Sequence, residues 1–195
     1  MGRWEPNAWG RLERAALALF VERGYDATTV AEIAERAGLT KSTFFRHFAD
    51  KREVLFGGQD KLVELFSEAI RTAPPGTTTI GCLAAALESP APVFTSERHD
   101  LAPQRGAVIA ANSELQEREL LKGARLGAAM ADAIRDRGAD DMTARLAAQV
   151  GVLAFGTAYR RWAAPENQQP YVEIAREVLR DLQARVAALG AEAQA

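Results

Sequence analysis

The chain has 195 residues, 48% hydrophobic and 26% charged, with one cysteine and a formal net charge of −2. That charge excludes a polycation that coats nucleic acid by bulk electrostatics, but not a protein that gathers its positive charge in one place. The lone Cys82 excludes an intrachain disulfide framework and a thiolate metal cluster. No apolar signal-peptide core occurs near Met1, and the longest mostly apolar stretch, residues 147–159, is too short to span a bilayer. A soluble, cytoplasmic protein without membrane contact is expected.

Apolar residues recur at helical spacing almost throughout, and no alternating strand pattern appears. Leu12, Ala15, Ala16, Leu19 and Phe20 form a first helical stripe, closed by Gly24. Thr29 with Glu32 is a capping box opening a second helix, which buries Ile33, Ala34 and Ala37. Gly38 breaks the chain, and Thr40 caps a short third helix carrying Phe44 and Phe48. A capping arrangement at residues 50–53 predicts one longer helix through Val54, Leu62, Leu65, Phe66 and Ile70, ended by Pro74 and Pro75. A shorter helix is expected over 79–87, and residues 89–106, with Pro90, Pro92 and Pro103, read as loop or broken helix. Ser113 is expected to cap a long helix to Arg137 and Asp141 another to Ala163, with the last starting near Pro170. The fold class is all-α with about nine helices, beginning with a compact three-helix unit.

Two short helices joined through Gly38 and Leu39 have the layout of a helix-turn-helix, whose second helix enters the major groove. At 100° per residue, Phe44 and Phe48 share the back of that helix, whereas Ser42 and Arg46 share its front. Thr43 and His47 flank the front on one side and Phe45 on the other. From Arg36 to Arg52 there are five cations and one anion, a local +4 that leaves −6 for the remainder. Thr29, Thr40 and Lys51 stand at helix N-termini, where backbone N–H groups favour phosphate. Spacing, polar front and local charge together favour DNA binding over a solvated helical corner.

The segment TTVAEIAERAGLTKSTFFRHFADK, residues 28–51, resembles the DNA-binding signature of the tetracycline-repressor (TetR) family, as does the preceding FVERGY at 20–25. The likeness covers roughly residues 8–56; beyond them only the helix layout is shared. It implies a helix-turn-helix domain over 1–52 and a helical effector-binding and dimerisation domain over 53–195. It further implies a homodimer on palindromic double-stranded DNA and repression relieved by an unidentified small ligand. Position by position, Thr29 would touch phosphate, and Thr40, Lys41, Ser42 and Thr43 would supply base and backbone contacts. His47 and Lys51 match family positions that clamp phosphate. Phe45 stands where the family usually has Tyr, so a hydroxyl contact is lost. Its ring either packs on sugar or a thymine methyl or is a partly exposed core edge. Arg46 either reaches phosphate or faces water. Arg3 and Trp4 are either a minor-groove arm or a frayed terminus, the second being the favoured reading.

Residues Tyr171, Ile174, Val178, Leu182, Val186 and Leu189 form a stripe on the last helix, and residues 150–159 are apolar nearly all round. Similar regulators pair their last two helices as a four-helix bundle, so homodimerisation is expected there, with part of each face serving the intramolecular core. Gly123, Gly127, Gly151 and Gly156 interrupt helices; close helix packing is favoured over space for a ligand. An effector pocket rests mainly on the resemblance, with Phe66, Met130, Phe155, Tyr159 and Trp162 either its candidate walls or plain core, the commoner use of bulky residues at helical spacing. Residues 89–106, containing Phe94 and His99, would be its lid or entrance.

An enzyme is the competing class, and its chemistry is missing. His47 and His99 lack metal-ligand spacing, Asp140 and Asp141 read as a helix cap, and no phosphate-binding glycine loop or nucleophile elbow occurs. No cofactor, metal or catalytic residue is expected. A non-switching architectural module is a third class, distinguished by coating DNA without regard to sequence.

Overall fold

The computed structural model describes residues 7–192, with side-chain environments through residue 188. Arg3, Trp4, the side chain of Leu189 and the last three residues lie outside the described set. Ten α-helices and one 3₁₀ turn occur among the described residues, with no strand. In chain order the helices are α1 (Ala8–Arg23), α2 (Val30–Arg36), α3 (Lys41–His47), α4 (Glu53–Phe56) and α5 (Gln59–Thr72). They continue with α6 (Thr79–Glu88), the 3₁₀ turn Ala91–Val93, α7 (Ser96–Ala110), α8 (Ser113–Asp136), α9 (Asp141–Trp162) and α10 (Tyr171–Glu192).

The first three helices form as their caps dictate. Thr29 accepts from the Glu32 amide while the Glu32 carboxylate takes the Thr29 amide, a complete capping box. Thr40 accepts from the Thr43 amide at 3.1 Å. Gly38 turns the chain between α2 and α3 with φ +65°, and a Cβ there would stand 2.8 Å from the Arg11 guanidinium.

Three expectations are corrected. The single helix from residue 53 to 70 is two, α4 and α5, because Gly57 and Gly58 interrupt it and Gly58 takes φ +89°. Residues 96–110 are helical despite Pro103, whose interior position costs roughly 3 kcal/mol. Burial of Ala102, Val108 and Ile109 offsets that cost. The caps of α8 and α9 sit one residue earlier than expected. Asn112 accepts from the Leu115 amide, and Asp140 accepts from both the amide and hydroxyl of Thr143.

Contacts divide the chain into two compact units. One comprises Met1–Gln59 and Asp100–Glu119; the other comprises Asp60–His99 and Leu120–Ala195. This division extends the first unit beyond residue 52, because Val54, Leu55, Phe56, Val108, Ile109 and Leu115 join its core with Leu12, Phe20, Ile33 and Phe44. The core of the second unit includes Phe66, Ile70, Leu83, Met130, Ala158 and Ile174. Gly151 is a point of close helix approach, since a Cβ there would meet the Met130 methyl at 2.4 Å and Leu83 at 3.1 Å. Gly156 is not, since among the described residues a Cβ there would meet only its own helix's Arg160.

Candidate nucleic-acid interface

Helix α3 is two-sided, as its spacing requires. Phe44 is fully buried and Phe48 nearly so, their rings 5.4 Å apart against α1 and α2. Lys41, Ser42, Phe45, Arg46 and His47 are exposed, and Thr43 is half-buried. The polar groups of the front are linked. The Thr40 and Thr43 hydroxyls lie 3.0 Å apart, and the Arg46 guanidinium donates to Thr43 Oγ1 at 3.1 Å. The Lys41 ammonium lies 5.9 Å from the centre of the Phe45 ring, which is 50% exposed. The front of α3 therefore offers two cations, hydroxyl groups, an imidazole and one flat apolar ring, a donor-rich face suited to base edges and phosphate.

The other cations of the basic segment are engaged within the protein. Both Arg36 Nη atoms donate to the Glu22 carboxylate, at 2.7 and 2.6 Å, and this fork holds Glu22 below the usual carboxylate range. Arg52 donates to Asp50 and to Glu114, which hold its guanidinium firmly charged. Lys51 turns inward. Its ammonium donates to the carbonyl oxygens of Tyr25 at 2.7 Å, Thr28 at 3.1 Å and Asp26 at 3.3 Å, and lies 4.3 Å from the centre of the Tyr25 ring. Of the five cations between residues 36 and 52, Lys41 and Arg46 are the two with no carboxylate or carbonyl partner among the described residues.

At the N-terminus of α2, the Thr29 amide and hydroxyl both donate to Glu32 Oε2, at 2.8 and 2.7 Å. These bonds and Arg23 hold the Glu32 carboxyl below its ordinary range, so an anion already stands where phosphate was expected. Sequence reasoning also missed Arg11, which donates to the Ala37 carbonyl and so closes the C-terminal end of α2. Its partner lies 26 residues away, a separation with no local signal. A groove of about 290 Å³, lined by Arg11, Arg14 and Arg36 with Ala15, Ala18 and Ala37, lies beside that contact.

In the second unit, four of the five residues named as pocket walls come together. Phe66, Phe155, Tyr159 and Trp162 belong to one aromatic cluster that Phe94 joins. Phe94 stacks on Tyr171 with centroids 3.9 Å apart, and its ring lies 4.9 Å from that of Trp162. Met130 is fully buried and packs on Gly151. The Tyr171 hydroxyl is buried with no hydrogen-bond partner among the described residues, and burial raises its pKa. His99 places Nε2 3.2 Å from the Ala164 carbonyl and its ring edge-on to Trp162. No group of three or more His, Cys, Asp or Glu side chains is placed to hold a metal ion among the described residues. No described helix is long and apolar enough to cross a membrane.

The profile of the family described as bacterial regulatory proteins, tetR family, matches residues 13–57. The HTH-type transcriptional activator FasR of Mycolicibacterium smegmatis is 33% identical over 163 residues, covering 78% of this chain and 70% of that protein. The HTH-type transcriptional regulator TcmR of Streptomyces glaucescens is 38% identical over 79 residues, covering 40% of this chain but only 35% of TcmR. Among solved structures, Thermus thermophilus FadR, a TetR family repressor in complex with lauroyl-CoA, superposes with a TM-score of 0.51 at 24% identity. That match covers 88% of this chain and 91% of FadR, and it is a likeness of fold.

Proposed function

The chain belongs to the TetR family of bacterial regulatory proteins, which are DNA-binding transcriptional regulators, and on that premise we propose that it represses transcription as a homodimer on a palindromic operator, in the cytoplasm, until a small lipophilic ligand releases it. The observation that carries the reading is the exposed front of α3. Lys41, Ser42 and Thr43 address base edges and nearby backbone, with Thr40 at the helix start. Arg46 and His47 reach phosphate, and Phe45 packs on sugar or a thymine methyl. Thr29 approaches phosphate at the start of α2, which requires its hydroxyl to turn away from Glu32.

A single helix of this length reads few bases, so two copies are needed for specificity. Helix α9 exposes Met142, Leu146 and Leu153 at helical spacing, and α10 exposes Val186. These side chains support a second copy seated on the last two helices. The aromatic cluster around Phe94, with the unpartnered Tyr171 hydroxyl among its rings, supports a lipophilic ligand carrying at least one hydrogen-bond acceptor. The lauroyl-CoA bound by FadR, a protein of the same fold, agrees with that chemistry.

Selection of bound duplexes from a random-sequence pool, followed by footprinting, tests this reading. A two-fold symmetric site, and a particle of twice the 21.1 kDa chain mass by light scattering, are expected. Sequence-independent coating, or a monomer on DNA, would contradict it. A reporter placed behind the selected site decides the sign of regulation. Repression is expected, and activation would place this chain functionally with FasR.

A further inference from the structure

Lys51 lies in the turn four residues beyond α3, and the family resemblance assigns it to phosphate. Its geometry says otherwise. A lysine ammonium has three N–H donors and no acceptor. Here three carbonyl oxygens, those of Tyr25, Asp26 and Thr28, lie within 2.7–3.3 Å of Nζ. All three belong to the loop between α1 and α2, and the last immediately precedes Thr29. The Tyr25 ring supports the same cation from 4.3 Å. Burial, with the nearby Glu114 and Asp50 carboxylates, pushes the Tyr25 phenol up to about 12, so the ring stays neutral beneath the charge. The donors of Lys51 are spent.

The same loop is held from a second direction. Asn112, which caps α8, places Nδ2 3.5 Å from both carboxylate oxygens of Asp26. Two residues on, Glu114 accepts from Arg52, the neighbour of Lys51, at 2.9 Å. The Thr28 hydroxyl, buried, donates to the Gly24 carbonyl at 2.8 Å and so closes the loop on itself. Residues 24–28 thus form a tied segment, with Lys51 at its centre and the first turn of α8 bridging its outer side.

We propose that Lys51 is a positioning residue rather than a phosphate clamp: by gathering the carbonyls of residues 25, 26 and 28 it sets where Thr29 and the N-terminus of α2 meet the operator. The assignment rests on the reading of Thr29 as a DNA contact. Because the three loop carbonyls already satisfy the ammonium without DNA, the proposal has it stay in place when DNA binds. Its charge still adds to the general field around α3, but no counterion is released on its account.

The test uses the full chain and the duplex it selects from a random pool. Lys51→Met should weaken binding about fivefold, the size of losing one helix cap, while the slope of log affinity against log salt changes by well under one. A phosphate clamp would instead lower that slope by about one, which overturns the proposal, as does unchanged affinity. Thr29→Ala and Lys51→Met combined should cost little more than the larger single change, because both act at one place. Full additivity would mean that Lys51 acts elsewhere or only on general stability, and overturns it. Should Lys51→Met fail to fold, the side-chain ammonium resonance of Lys51 in the wild-type protein decides. Its hydrogen-bonded signal persists unchanged on adding duplex if the brace holds, and moves if the group transfers to phosphate. If the wild-type chain selects no duplex at all, the operator reading fails and the positioning role falls with it; a wild-type chain that selects a duplex while Lys51→Met lowers the salt slope by about one overturns the Lys51 assignment alone.

Discussion

The front of α3 and the turns that flank it carry the same kinds of side chain and use them in opposite ways. On the helix, Lys41 and Arg46 are exposed, Lys41 near the Phe45 ring and Arg46 on the Thr43 hydroxyl. In the flanking segments, Arg36 and Arg52 lie against carboxylates, and Lys51 lies against carbonyls. A local excess of positive charge in sequence is therefore not the charge left without a carboxylate or carbonyl partner among the described residues. Glu22 and Glu114, from outside the segment, cancel part of it, and Lys51 is consumed in building the scaffold. What remains for recognition is concentrated on one short helix face, which favours specificity over indiscriminate adhesion.

Damage to the back of α3 should have the largest effect. Phe44→Ala removes a fully buried ring from the core of the first unit and is expected to cost about 3–5 kcal/mol in denaturant unfolding. A cost near that of an exposed residue would mean that α3 is not anchored as described. Thr40→Ala comes next, at about 1 kcal/mol, since it removes the bond to the Thr43 amide and the contact with the Thr43 hydroxyl. Circular dichroism melts compare it directly with Ser42→Ala, which should be near neutral.

Acid tests the flanking turn. Burial raises the Asp50 carboxyl, but bonds from Arg52 and from the amides of Glu53 and Arg52 outweigh it and leave the group below its ordinary value. A depressed folded-state pKa adds stability that is complete above the unfolded value of about 3.9 and disappears as pH falls through the folded one. The difference in urea midpoint between wild type and Asp50→Asn should be constant at neutral pH and shrink below about pH 4. A difference that persists unchanged to the lowest pH would remove the carboxylate from the account. The smallest effect is expected from Glu22→Gln. It releases Arg36 from an exposed pair, changes stability by under about 1 kcal/mol, and should raise DNA affinity slightly at low salt and not at high salt. A gain independent of salt would argue for a changed structure instead of an uncovered charge.

Legibility from sequence followed the range of the interactions involved. Thr29, Thr40 and Gly38 were readable because a cap or a tight turn is decided within a few residues. The two faces of α3 were readable from periodicity alone. Helix breaks were less so: Gly57 and Gly58 interrupt an apolar pattern that continues smoothly across them, and Pro103 is tolerated because its neighbours are buried. The cap positions at Asn112 and Asp140 were displaced by one because adjacent residues are equally capable caps. Least visible were the partners of the cations. Glu22 with Arg36, Arg11 with the end of α2, and Glu114 with Arg52 are pairs made by tertiary placement, on which charge patterning is silent. The aromatic cluster falls between these cases. Phe66, Phe155, Tyr159 and Trp162 were legible as bulky residues on helices, whereas Phe94 joins them from a proline-flanked turn.

The central claim is that the exposed front of α3, and not the basic segment as a whole, reads the operator. Affinities of wild type, Lys41→Ala and Thr43→Ala for the selected duplex and for a scrambled duplex, at one salt concentration, test it most directly. The account predicts that binding to the selected duplex falls by about 1–3 kcal/mol while binding to the scrambled duplex changes far less, so the specificity ratio collapses. Equal losses on both duplexes would show that these side chains hold only the backbone, and would contradict it.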